Sequence, residues 1–401
     1  MRRIRSIHSS RLHSNAIPEK ILNRFSGVMS LLVSGISTFR ALQPQQDFVS
    51  LWTGAWLTGW LFAFPAVMLA APLALAAEKS KFKIAWTIYA GWMPWEYAGS
   101  QGIVDKWAKK YGIKIDVVQL NDYVESINQY TAGQFDGCTM TNMDALTIPA
   151  AGGVDTTALI TGSYSDGNDG VVLKGSAKTL ADLKGMQVYL PELSVSHYLL
   201  VRGLEKAGLQ EKDVKVVNTS DADIVSAFGT SSVRAAVAWN PQLSAIKKTP
   251  QTSEVFSSAQ VPGELIDMMV VNTQTLKDNP ALGKALTGAW FEMMDKMHAG
   301  DDQVLNAMAA DSGTDLAGYQ AQLKTTHLFW TAAETLTFIS SPELAKTMQR
   351  VAQFSFDKGL LGEGAQSADF IGMTFPGGVT VGDSANSKLR FDDRYLKLAA
   401  A

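Results

Sequence analysis

Cys138 is the only cysteine among 401 residues. An intramolecular disulfide is therefore excluded, as is a zinc or iron–sulfur site built on cysteine thiolates. A Gly-rich phosphate cradle, a Gly-x-Ser-x-Gly nucleophile elbow, internal repeats, heptads and low-complexity runs are also missing. Nothing therefore points to phosphoryl transfer or serine-hydrolase chemistry. His197, His298 and His327 form no metal-ligand spacing with any cluster of acids, so neither a metal nor another cofactor is expected.

A different absence marks the N-terminal part. From Phe48 to Ala77 there is no charged residue, and the stretch carries Trp52, Trp56, Trp60, Phe62, Phe64 and Leu69. It closes on Ala74-Leu75-Ala76, a small-x-small pattern, directly before Glu78-Lys79. Residues 1–77 are accordingly expected to be a leader and signal peptide that exports the rest of the chain to the periplasm. The alternative is an uncleaved anchor, because 30 uncharged residues could span a bilayer. Met29 is an alternative start. No cysteine stands directly after the leader, so lipid attachment at a mature N-terminal cysteine is excluded.

What remains is an ordinary globular composition, 46% hydrophobic and 18% charged, with ample material for a packed core. The leader carries +5 and residues 78–401 carry −8, to give −3 overall. An acidic body without a basic stripe gives no reason to expect a nucleic-acid partner.

Phe82 to Tyr89 alternates as a strand, and Gly91 and Pro94 break it, which predicts an aromatic loop. Ile103, Val104, Trp107, Ala108 and Tyr111 then recur at helical spacing up to Gly112, and Ile113 to Val118 resumes as a strand. Asp122 caps a predicted helix to about Gln134, Asp136 to Met140 is a short strand, and Asn142 caps a helix ending near Gly152. Thr157 to Thr161 is a further strand. The polar cluster Ser163 to Gly170 predicts a crossover into a second, smaller series: strands at 186–190, 214–217 and 235–238, and a helix from Ser196 to Ala207. A strand over Ile266 to Val271 returns the chain to the first series, and the remainder reads as mainly helical. The expectation is an α/β fold of two lobes, each a mostly parallel sheet flanked by helices, with residues 78–165 and 266–401 in one lobe and 166–265 in the other. Ligands bind such sheets beyond the C-terminal ends of the strands.

Three stretches at those ends, Gly91-Trp92-Met93-Pro94-Trp95-Glu96-Tyr97, Ala132 to Leu146, and Ser163 to Gly170, resemble the solute-binding proteins of nitrate-, sulfonate- and taurine-type ABC importers. The resemblance covers roughly residues 80–300. It implies a type II periplasmic-binding-protein fold with a hinge between the lobes, a monomer that is not an enzyme, and a permease and ATPase complex in the inner membrane as partners. More narrowly, Tyr189 to Tyr198 and Ala238-Trp239-Asn240-Pro241-Gln242 resemble the branch encoded beside urea-carboxylase-type enzymes. That implies a urea- or guanidine-like solute, with a sulfonate, taurine or nitrate as the alternative. Thiamine-precursor synthases share the fold and form a second alternative, but they carry a cysteine-rich motif that this chain lacks.

The candidate ligand loops hold Glu96, Asp144, Asp166, Asp169 and Glu192 and no Lys or Arg. An aromatic face beside a carboxylate suits a planar cation, or urea of the same shape. Trp92, Trp95 and Trp239 are the expected walls. Glu192, with Asp144 or Asp166, is expected to accept the ligand's N–H groups, and Ser194 and Asn240 to complete the contacts. Glu96 and His197 stand in the same loops and complete the candidate set. Helix capping and turn formation are competing roles for the acids.

Overall fold

The computed structural model describes residues 47, 49–50, 52–54, 56–58 and 79–400. Of the expected leader, only 49–50, 52–54 and 56–58 are described within helix, and the Ala74-Leu75-Ala76 cleavage pattern lies outside the described residues. No helix among the described residues is long and apolar enough to cross a membrane.

A compact unit begins at Lys79. Its first pass runs β1 (Lys81–Thr87), α1 (Met93–Ser100), α2 (Ile103–Lys110), β2 (Lys114–Leu120), α3 (Tyr123–Thr131), β3 (Gly137–Thr141), α4 (Asn142–Ala145) and β4 (Thr156–Ser165). The second series is β5 (Asp169–Lys174), β6 (Gln187–Leu190), α5 (Val195–Lys206), β7 (Lys215–Asn218), α6 (Ile224–Gly229), β8 (Ala235–Trp239), α7 (Gln242–Lys247) and β9 (Thr252–Ser257). The return comprises β10 (Ile266–Asn272), α8 (Thr273–Asp278), α9 (Pro280–His298), α10 (Asp302–Asp311), α11 (Leu316–Leu323), β11 (Thr326–Leu328), α12 (Ala332–Ile339), α13 (Pro342–Asp357), β12 (Gly372–Thr374), β13 (Thr380–Val381), β14 (Ser387–Phe391) and α14 (Arg394–Ala400).

The strands form a nine-stranded sheet, ordered β13-β12-β14-β4-β10-β3-β1-β2 with β11 on β4, and a five-stranded sheet, ordered β7-β6-β8-β5-β9. The two-lobe α/β expectation holds, but the sheets are mixed and not mostly parallel. In the larger sheet β1 runs parallel to β2 and β3, while β10 lies antiparallel between β3 and β4. In the smaller sheet β5 runs antiparallel to both β8 and β9. The reason is topological: β5 and β10 each follow a crossover and enter their sheet from the opposite end to the strands built by strand-helix-strand units.

Three local expectations are corrected. The aromatic loop after β1 is short, because α1 starts at Met93 with Pro94 in its first turn, where proline's missing N–H costs nothing. The single helix expected over 142–152 is one α-turn capped by Thr141, followed by a π-helix at Leu146–Ala150 that contains Pro149. The C-terminal third is not simply helical: β14 pairs parallel with β4, and β12 and β13 extend the sheet beyond it.

The central strands are buried on both faces, with every residue of β3 and β8 buried. Gly137 opens β3 because a Cβ there would stand 2.7 Å from the Val270 carbonyl oxygen and 2.9 Å from Ile84 Cδ1. The two crossovers are tied together. Ser165 Oγ and Ser258 Oγ lie 2.6 Å apart, and the Gly167 N–H donates to Ser258 Oγ at 2.8 Å.

Candidate functional site

The mouths of the two sheets meet at a small cavity lined by Tyr89, Trp92, Tyr123, Thr141 and Asp267 from the larger lobe, by Asp169, Val195 and Trp239 from the smaller, and by Leu265 in the crossover just before β10. Each lining residue sits at an element's end or in the segment beside it. Trp92 is the N-cap residue of α1, Tyr123 and Val195 are the first residues of α3 and α5, and Thr141 and Trp239 end β3 and β8. About 20 Å³ is open to the centres of water-sized molecules. That is room for about one water molecule, so a larger solute enters only as the lining side chains or lobes move apart.

Aromatic rings make the walls. The Tyr89 and Trp92 rings meet edge to face at 5.0 Å, Trp92 and Tyr123 at 5.8 Å, and Tyr123 meets Trp239 of the other lobe edge to face at 5.4 Å. Two carboxylates complete the lining. Asp267 Oδ2 accepts from the Tyr89 hydroxyl at 2.9 Å and from Ser163 Oγ at 2.8 Å, and Asp169 Oδ2 accepts from Ser165 Oγ at 2.6 Å. A third, Asp144, stands behind Tyr123 and Thr141, whose hydroxyls donate to its Oδ2 at 2.6 and 2.8 Å, and its Oδ1 is buried without a partner.

No Lys, Arg or His lines the cavity. Burial pushes the Asp267 carboxyl up to about 8, helped by the charge of Asp169. It pushes Asp169 up to about 7, with Asp144 adding to the effect, and Asp144 up to about 6 against the opposing hydrogen bonds from Tyr123 and Thr141. Burial and mutual repulsion therefore keep protons on Asp169 and Asp267 up to near-neutral pH.

Of the residues expected from sequence, Trp92 and Trp239 line the cavity. Asp144 lies one layer out. Trp95 faces away, stacked on Trp290 at 5.3 Å in the core, because it follows Trp92 by three residues along α1 and so leaves the loop. Glu96 lies on the same helix near Asp311; partial burial and that neighbouring acid raise its carboxyl. Asp166 and Glu192 are exposed on turns, and the Glu192 N–H donates to Asn218 Oδ1 at 3.0 Å. Ser194 caps α5, donating to the Pro191 carbonyl at 2.7 Å.

His197 is enclosed between the Leu193 N–H, which donates to Nδ1 at 3.1 Å, and Glu211, 3.0 Å from Nε2. Burial, aided by Lys358, pushes it down to about 4, so it is neutral. Asn240 is spent on the frame: its N–H donates to Asn168 Oδ1 at 3.0 Å, its Oδ1 accepts from Ser244, and its carbonyl accepts from the Ala90 N–H at 3.1 Å.

Sequence reasoning missed Tyr89, Tyr123, Thr141, Val195, Leu265 and Asp267, and counted Asp169 among the loop acids without assigning it to the ligand. One signal was available. Asp267 interrupts the apolar strand Ile266 to Val271, and an acid there must be buried with partners. Tyr123 sat next to a helix cap and carried no distinguishing pattern.

Residues 103–303 match the NMT1/THI5 like family. The chain belongs to that family. Residues 24–77 separately match a domain of unknown function, which covers most of the segment expected to be a leader. Within the NMT1/THI5-like chain, a binding protein of Brucella abortus is 26% identical over 223 residues, 54% of this chain and 67% of the relative. The taurine-binding periplasmic protein of Escherichia coli K12 is 24% identical over 144 residues, 35% of this chain and 44% of the relative. The alkanesulfonate-binding protein of Xanthomonas axonopodis pv. citri, solved with MOPS bound, superposes with a TM-score of 0.60 at 18% identity, covering 72% of this chain and 96% of that one. That likeness establishes the periplasmic-binding-protein fold. The two curated relatives of this family member are named as binding proteins, which gives the thiamine-precursor enzyme alternative no support.

Proposed function

We propose that this chain is the solute-capturing component of an ABC-type importer, which takes a small nitrogen-rich solute, urea or a guanidine-like molecule, between its lobes and delivers it to an inner-membrane permease and ATPase from the periplasm. One observation carries the choice of solute. The cavity joins aromatic faces to carboxylates and offers no basic side chain. N–H groups would find acceptors at Asp169 and Asp267, and a planar body would lie against Trp92, Tyr123 and Trp239.

A second reading, a taurine or other sulfonate, is favoured by the taurine-binding relative and the alkanesulfonate-binding structure. Its difficulty is electrostatic, since a sulfonate would have to enter beside buried acids with no Lys or Arg to replace its hydration.

Calorimetric titration of the purified protein with guanidinium, urea, taurine and nitrate tests the proposal. Saturable binding of guanidinium or urea is the expected outcome. Tight taurine or nitrate binding with no response to the nitrogen-rich solutes would replace it with the second reading.

A further inference from the structure

The two lining carboxylates come from different lobes. Asp267 is the second residue of β10 in the nine-stranded sheet, and Asp169 opens β5 in the five-stranded sheet. One strand aims both. Ser163 and Ser165 lie two apart on β4 and so share a face; Ser163 donates to Asp267 and Ser165 to Asp169. In each carboxylate these bonds occupy Oδ2, and Oδ1 accepts no hydrogen bond among the described residues. The free oxygens are thus left to the cavity.

The groups packed around the pair cannot neutralise it. They are the Tyr89 hydroxyl from the segment after β1, Trp92 from α1, Tyr123 with Asp144 behind it, Ser258 from the second crossover and Trp239 from β8. The only titratable groups among them are two tyrosines and a further acid. Two like charges buried close to one another repel, so the closed lobes are favoured when one positive charge, either a proton or a cation, accompanies the pair.

We propose that the lobes close on a planar monovalent cation bearing N–H groups, which bridges Asp169 of one lobe and Asp267 of the other and displaces a proton from the pair to solvent as it enters. The solute is then a guanidinium-type ion in preference to neutral urea, and the same pair makes closure of the ligand-free protein depend on pH. This rests on the cavity being the solute site, as proposed above. In the exchange, a carboxylic acid and a free cation become a carboxylate–cation pair and a released proton. With one proton displaced, affinity falls about tenfold for each pH unit below the titration of the pair. The raised carboxyls of Asp169 and Asp267, at about 7 and about 8, place that range near neutrality.

Two measurements test this independently. In the first, the purified protein is titrated with millimolar guanidinium chloride, urea or potassium chloride at pH 6.5 and 8.5, in buffers of differing ionisation enthalpy. Guanidinium is expected to bind more tightly at pH 8.5 by tenfold or more and to release about one proton at pH 6.5, and the Asp169→Asn, Asp267→Asn double variant is expected to abolish both binding and release. Guanidinium binding without proton release, or urea binding equally tightly at both pH values, overturns the proposal.

In the second, small-angle scattering follows the ligand-free protein. It is expected to be compact at pH 5.5 and extended at pH 8.5, and the Asp169→Asn, Asp267→Asn double variant compact at both. A wild-type radius that does not change with pH overturns the proposal whatever the solute. Failure of the nitrogen-rich solutes to bind, with the pH-dependent closure intact, removes only the assignment of the solute and leaves the cross-lobe pair standing.

Discussion

At the level of single side chains, the tryptophans divide according to the side of the helix start on which they fall. Trp92 precedes α1 and Trp239 ends β8, so both rings reach the cavity, whereas Trp95 is inside α1 and packs on Trp290. Trp239→Ala is expected to weaken solute binding by tenfold or more, about 1.4 kcal/mol, in a calorimetric titration of the folded fraction, besides the stability lost with a ring only 5% exposed. Trp95→Ala should differ in affinity. Deleting a ring only 1% exposed is expected to cost about 3–5 kcal/mol of stability in denaturant unfolding, with affinity nearly unchanged in the folded fraction. Glu192→Gln is expected to leave affinity within about twofold of wild type, since a surface substitution away from the site changes little. The sequence supplied the residue types of the site, acidic and aromatic without bases, but could not rank acids that look alike as letters. Asp166 and Asp169 stand in the same turn-rich stretch, and only the second is buried, because β5 begins at it.

Elements were legible where periodicity and caps agreed. Asp122 does cap α3, its Oδ1 accepting from the Glu125 N–H at 2.8 Å, and Gly112, in the left-handed region at φ 71°, follows the end of α2. The π-helix around Pro149 was not legible, because the one-residue slip that accommodates the proline depends on what packs around it. The strands β12–β14 were missed for a related reason. They are two to five residues long, and such segments become strands only when a sheet edge is there to pair with. Close packing within the larger sheet gives a test at this scale. Gly137→Ala would set a methyl group against the Val270 carbonyl between β3 and β10, and is expected to lower stability by about 1–3 kcal/mol, read as a shift of the denaturation midpoint at constant slope.

For the molecule as a whole, the buried acids set how stability depends on pH. An aspartate in the unfolded chain titrates near 3.9. In the folded, ligand-free protein Asp144, Asp169, Asp221 and Asp267 hold their protons up to about 6, 7, 6 and 8 respectively. Between those limits the native state binds more protons than the unfolded chain, so stability falls as pH rises from about 4 to about 8. At the acid end the sign reverses. Asp155 and Glu264, held low by hydrogen bonds and charge from Arg390 and Arg202 against the effect of burial, lose those ion pairs when they are protonated. The ligand-free protein is therefore expected to melt highest at mildly acidic pH and several degrees lower at pH 8, and Asp267→Asn should flatten the alkaline decline in a thermal scan.

The sequence by itself determined the α/β alternation, the place of the first crossover, and a ligand region rich in acids and aromatics and free of bases. These follow from side-chain period, turn chemistry and composition, which are local properties. Tertiary structure alone decided that Asp169 and Asp267, 98 positions apart, share one cavity, and that Tyr89 and Tyr123 line it while Trp95 and Glu192 do not. The physical reason is that burial and charge proximity arise only when the two sheets meet, and those two quantities turn an ordinary carboxylate into one that keeps its proton up to near-neutral pH.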